Sequence, residues 1–166
     1  MGFDDPVSFD IDVDGWVETL FWTASGSLDA FLWLDRNGNG IVDDGSELFG
    51  NFTPLIDGST AANGYIPLAE FDLIAMGGNE NGFIEPEDVI YHDLQLWIDW
   101  NHNGVSDPLE IRTLAEAGVS RISLRYRSMR RHDQHGNYFR YVSSAWIRVG
   151  SHERLTQTSD VFFVSQ

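Results

Sequence analysis

The run Asp99-Trp100-Asn101-His102-Asn103-Gly104-Val105-Ser106-Asp107-Pro108-Leu109-Glu110 constrains this chain more than any other stretch. Oxygen-bearing side chains stand at its first, third, fifth and ninth positions, glycine at the sixth and a glutamate at the twelfth. A hard cation such as calcium takes six to eight oxygens at roughly 2.3–2.6 Å. One short loop can supply them only if alternate side chains point inward, the chain turns sharply in its middle and a bidentate carboxylate closes the far side. The spacing therefore predicts a calcium loop with Asp99, Asn101, Asn103, the Val105 carbonyl, Asp107 and Glu110 as ligands. An Asn-Gly turn ahead of a capped helix is the plainer alternative. Ser106 is polar where such loops usually carry an apolar residue, and is expected to weaken pairing between loops.

This is EF-hand spacing, and it recurs. Asp35, Asn37, Asn39, the Ile41 carbonyl and Asp43 fit the same template, with Glu47 one residue late and Gly45 placed to absorb the extra residue as a bulge. In residues 77–88 the fitting groups are Asn79, Asn81, the Phe83 carbonyl, Glu85 and Asp88. Gly77 stands there where the first Asp belongs, and Asp72, five residues earlier, reaches the site only if the chain rearranges. Asp10, Asp12, Asp14, the Trp16 carbonyl and Glu18 make a shorter loop with no closing Glu at its twelfth position. Three carboxylates two residues apart repel one another unless a cation or solvent intervenes.

The charge distribution agrees with this. Residues 1–110 hold 22 acids against one Arg, a net −21, whereas residues 111–166 hold four acids and nine Arg, a net +5. Carboxylates so concentrated repel one another in a compact state, and bound divalent cations or a solvated acidic face are the two ways to relieve them. The predicted cofactor is Ca2+, two to four ions. There is no Cys, which excludes thiol catalysis, thiolate metal sites and disulfides. No apolar run reaches membrane-spanning length, so no membrane insertion is expected.

Along the chain, Val7, Phe9, Ile11 and Val13 alternate with polar residues, and residues 16–22 and 29–34 suggest a β-hairpin. Residues 48–68 read as irregular, a short helix or turn follows near 67–76, and residues 108–117 read as a helix ended by Gly118. Residues 120–130 and 137–149 read as strands joined by Asp133-Gln134-His135-Gly136-Asn137, and 161–164 as a final short strand. The expected architecture is one α+β domain over 1–166, with N-terminal strands (7–34), a loop region with short helices (35–118) and a C-terminal β region (119–166).

Three runs carry a resemblance: Asp5-Pro6 with the Phe9-Asp10 to Gly15 loop, Leu34 to Gly50, and Leu96-Trp97 to Gly104. They are similar to the EF-hand-like calcium-binding domain of large secreted bacterial RTX-type proteins, which includes the calcium-dependent self-processing module of iron-regulated RTX proteins. The resemblance covers roughly residues 5–118, while the glycine-rich nonapeptides of RTX repeats are absent. It implies an extracellular or cell-surface setting. No signal peptide is visible, so a fragment or non-classical secretion is expected. It also implies that Asp5–Pro6 is the bond such a module cuts in its own chain when calcium folds it, with Asp5 and Pro6 the catalytic pair. In the related module the freed Asp can join a Lys amine, and this chain has no Lys.

His132 and His135 lie three apart in an expected exposed turn, and Arg121, Arg125 and Arg127 share one strand face by period two. Three functional readings follow. The first is a calcium-stabilised, non-enzymatic module. The second is a calcium-triggered self-cleaving domain. The third is an interaction module whose Arg-rich C-terminal hairpin docks an unidentified acidic protein; no nucleic-acid partner is expected.

Overall fold

The structure, a computed structural model, describes residues 5–165. Among the described residues ten strands form three antiparallel sheets: β1 (Val7–Phe9) with β2 (Glu18–Leu20); β3 (Phe31–Leu34), β5 (Leu94–Trp97) and β6 (Ile111–Thr113) in the order β3-β5-β6; and a five-stranded sheet. That last sheet runs β10 (His152–Phe162), β9 (Tyr138–Val149), β7 (Val119–Ser123), β4 (Phe83–Ile84), with β8 (Arg127–His132) also pairing β9. Helix α1 (Tyr65–Glu70) is the one α-helix among the described residues, and 3-10 turns span Ile74–Met76 and Val89–His92.

The expectation of an α+β fold with helices flanking the loops is therefore wrong; the protein is mostly β. The helix read over 108–117 is the clearest case. Trp97 pairs with Ile111, Leu96 with Arg112 and Gln95 with Thr113, and this strand pairing overrides the helix-forming side chains of the segment. One turn of helix-like backbone survives after it. Thr113 and Glu116 bond reciprocally, with Thr113 N donating to the Glu116 carboxylate at 2.9 Å and Glu116 N to Thr113 Oγ1 at 3.2 Å. Gly118, at φ +73°, ends that turn where a side chain would be strained.

The hairpin read over 16–22 and 29–34 also dissolves. The acidic loop after β1 turns the chain back so that Phe9 pairs Glu18, while Phe31–Leu34 gives its backbone to β5. Trp22, Phe31 and Trp97 then pack ring against ring at 5.1–5.5 Å between centroids. Trp22, Trp33 and Trp97 are wholly buried. Such rings carry much of a core's apolar area, which is why sheet order follows them rather than chain order.

The final strand is longer than expected. The segment 153–159 is polar apart from Leu155 and shows no apolar alternation, yet β10 pairs with β9 over nearly its whole length through the tight turn at Gly150, φ +61°. A second apolar core, containing Leu68, Ile84, Leu94, Leu114 and Ile122, lies against this sheet.

Candidate metal centres in the acidic loops

Four loops share one hydrogen-bond scaffold. In three of them the first Asp accepts the N–H of the glycine five residues on: Asp10 from Gly15 at 3.0 Å, Asp35 from Gly40 at 2.9 Å and Asp99 from Gly104 at 3.1 Å. The fourth position takes left-handed backbone in every loop, at Val13 (φ 66), Gly38 (φ 78), Glu80 (φ 57) and His102 (φ 61). The N–H of the seventh residue goes to the fifth side chain, Trp16 to Asp14, Ile41 to Asn39, Phe83 to Asn81 and Val105 to Asn103.

Glu47, read as one residue late, does close its loop, accepting Arg36 N–H at 2.9 Å and Asp43 N–H at 3.1 Å. Glu110 accepts Asn101 N–H at 3.3 Å and the Trp97 indole N–H at 3.3 Å, and Trp22 donates to Asp99 at 3.1 Å. The 99–110 loop is thereby bolted to the aromatic core. In the short loop Glu18 takes the closing place, accepting Ile11 N–H at 2.9 Å. Oxygens of Asp10, Asp12, Asp14 and Glu18 all lie within 4.8 Å of one another, an acidic cluster that could hold a metal ion. The ninth-position acids are gripped by asparagine amides: Asp43 by Asn37 and Asn39 at 2.7 Å each, Asp107 by Asn101 at 2.9 Å, and Glu85 by Asn81.

Asp72, which the spacing brings to the 77–88 loop only if the chain rearranges, does take the first place there. The chain makes an excursion over 73–77 and returns at Gly78, which lies so close that a Cβ there would stand 2.2 Å from the Asp72 carbonyl carbon. Asp72 then accepts Gly82 N–H at 2.8 Å, the bond made by the first Asp of each other loop. Asp88 accepts Glu85 N–H at 2.8 Å, as Glu47 does from Asp43. The two glycines and an Asp five residues upstream were the available signal. Asp72 and Asp88 each keep one carboxylate oxygen, Oδ1, buried with no donor. Burial pushes the Asp88 carboxyl up, as do the nearby Asp72 and Glu85 charges, against the opposing Glu85 N–H bond. Buried carboxylate oxygens without donors are costly, and a cation is the partner that this donor set fits.

The loops also touch. Ser106, expected to weaken pairing, instead links two of them: its buried Oγ accepts Val42 N–H at 2.7 Å. Gly45 N donates to Asp10 O at 2.8 Å, and a Cβ at Gly45 would lie 2.0 Å from the Ile11 carbonyl oxygen. Gly45 therefore serves close approach between loops rather than a special dihedral. Gly104 sits close to β1, where a Cβ would lie 2.8 Å from Ser8 O. Just before β1, the Asp5 carbonyl accepts a bond of 2.6 Å from His102 Nε2.

Away from the loops, His132 stacks on Tyr138 and His135 on Phe21, so the two rings serve different aromatic partners. Arg121 lies between the Phe83 and Trp146 rings, 5.3 and 4.3 Å from their centroids, while Arg125 and Arg127 are exposed. Asp160 is buried and accepts Gly64 N–H at 3.1 Å; burial pushes its carboxyl up to about 6 against the pull of that bond and of Arg140.

Fold and loops together define a β-rich domain organised around acidic Asx-Gly loops. The chain matches the SPM domain family over residues 1–164 and belongs to it. It is similar to the iron-regulated protein FrpA of Neisseria meningitidis serogroup C, 37% identical over 152 residues, covering 80% of this chain and 13% of that protein. The chain thus spans a small part of that relative's length. Both findings fit the resemblance of the loops to iron-regulated RTX-type proteins. No helix among the described residues is long and apolar enough to cross a membrane.

Proposed function

We propose that this chain is a calcium-binding, calcium-stabilised module of a secreted or cell-surface bacterial protein. The observation that carries the reading is the shared loop scaffold, with the donorless buried oxygens of Asp72 and Asp88 in the least regular of the four loops. Calcium would be held by Asp99, Asn101, Asn103, Asp107, Glu110 and the Val105 carbonyl, and by the corresponding groups at 35–47, 72–88 and 10–18. Bound calcium supplies positive charge to carboxylates that otherwise repel one another. Affinity on the order of 10⁻⁴–10⁻³ M suits a module working where calcium is plentiful. Calorimetry tests this: Glu110→Ala should lose one site. By linkage the melting temperature should rise with calcium concentration. A wild-type chain that binds no calcium, or melts alike in calcium and chelator, refutes the reading.

A second reading is supported by the bond between Asp5 O and His102, which ties the Asp5–Pro6 peptide to the 99–110 loop. In it the chain cuts its own Asp5–Pro6 bond. The Asp5 side-chain carboxylate attacks its own main-chain carbonyl carbon and closes a cyclic anhydride. The C–N bond breaks, and Pro6 nitrogen takes a proton from water and leaves as a secondary amine. The hydroxide left behind opens the anhydride, so one water is consumed in all. Intact mass after calcium addition tests it through loss of residues 1–5.

A further inference from the structure

Resting on the self-cleavage reading, we propose that His102 is a catalytic residue that polarises the Asp5 carbonyl, and that the acidic loop is the device that aims it. A carbonyl oxygen can only accept, so His102 Nε2, 2.6 Å away, carries the proton. The bond thus fixes a proton on Nε2, while Nδ1 is buried without a partner. His102 is 8% exposed, so little water competes for the bond. Attack on the Asp5 carbonyl carbon puts negative charge on that same oxygen. A fixed donor already in contact with it stabilises the charge as it forms, with no reorganisation at the moment of reaction.

The aim comes from the loop. His102 holds the fourth position, which is left-handed in all four loops, and its φ of 61 is strained for a residue with a side chain. Bonds from Asn103 N and Gly104 N back to Asp99 close the turn across the strained residue. Gly104 brings the loop against Ser8, two residues beyond Pro6, so the turn and the peptide ahead of β1 are set in register by backbone contact. The fourth residues of the other loops are Val13, Gly38 and Glu80, and none of them offers a hydrogen-bond donor in its side chain. The Asp5–Pro6 bond is thus in contact with the one loop that presents such a group.

The test uses the full chain, purified in chelator and then given calcium, with wild type, His102→Ala and His102→Gln compared. Intact mass follows the loss of residues 1–5, calorimetry follows calcium binding, and long-range 1H–15N spectra follow the imidazole tautomer. His102→Ala should bind calcium as wild type does and cleave about 10²-fold more slowly, while His102→Gln, which keeps a donor on the same backbone, should stay within about tenfold of wild type. The spectra should show the proton on Nε2. Equal rates for wild type and His102→Ala, or a Gln variant as slow as the Ala variant, overturn the role of His102 alone. An Nε2 found without a proton overturns it too. A wild-type chain that stays intact in calcium overturns the cleavage reading, and the catalytic role with it.

Discussion

Asp160 offers the sharpest test of how burial sets this protein's stability. Its carboxyl lies at the end of β10, accepts Gly64 N–H at 3.1 Å and leaves its other oxygen buried without a donor. Burial raises its pKa from 3.8 to about 6. Because the folded form holds its proton more tightly than the unfolded chain, this group makes stability fall as pH rises from 3.8 to 6. The penalty is complete above pH 6 and absent below 3.8. At 1.36 kcal/mol per unit, the ionised carboxylate costs about 3 kcal/mol at pH 7.5 and about 1 kcal/mol at pH 4.5. Asp160→Asn keeps an acceptor for Gly64 and removes the charge. Whatever the amide's own packing costs, that cost is independent of pH. The variant's stability relative to wild type should therefore improve by about 2 kcal/mol between pH 4.5 and 7.5. Urea unfolding of both proteins at the two pH values, in the same buffer and calcium concentration, measures it. A difference between the proteins that is the same at both pH values would refute the assignment of the penalty to Asp160.

Three further outcomes are expected. Asp72→Ala should lower the calorimetric calcium stoichiometry by one while leaving the 99–110 site intact, and an unchanged stoichiometry would show that Asp72 is no ligand. Ser106→Ala removes the acceptor for the buried Val42 N–H and should cost about 1–3 kcal/mol in chemical unfolding. Gly45→Ala drives a methyl into the Ile11 carbonyl and should cost about 1–3 kcal/mol while weakening the short acidic loop beside it, both read by calcium-dependent melting.

Much of the candidate site is legible in residue order alone, because each loop draws its groups from one short stretch. Asp99 to Glu110, Asp35 to Glu47 and Asp10 to Glu18 each keep their fixed spacing, and the structure gives them one common scaffold. The turn at Gly118 and the strands around Asp133 to Asn137 are local in the same way: a glycine or an Asx side chain acts within a few residues. Asp72 escapes that logic. Its place depends on a detour through Leu73–Gly77 that only the packing of Gly78 on the Asp72 backbone permits.

What the tertiary structure alone decided is who pairs with whom. A strand shows its own apolar pattern but not its partner, so β3 could not be matched to β5 rather than β2 until the three tryptophans found a common core. The same core turned 111–113 from helix to strand, because closing the sheet over Trp97 outweighs a propensity of a few tenths of a kcal/mol per residue. Ser106 reaches across 64 residues to Val42 and His102 across 97 to Asp5. Bonds of that range leave no periodic trace in a sequence, since nothing in either residue's neighbourhood encodes the other. Spacing wrote the loops of this protein; long-range packing set them against one another and brought one of them to the Asp5–Pro6 bond.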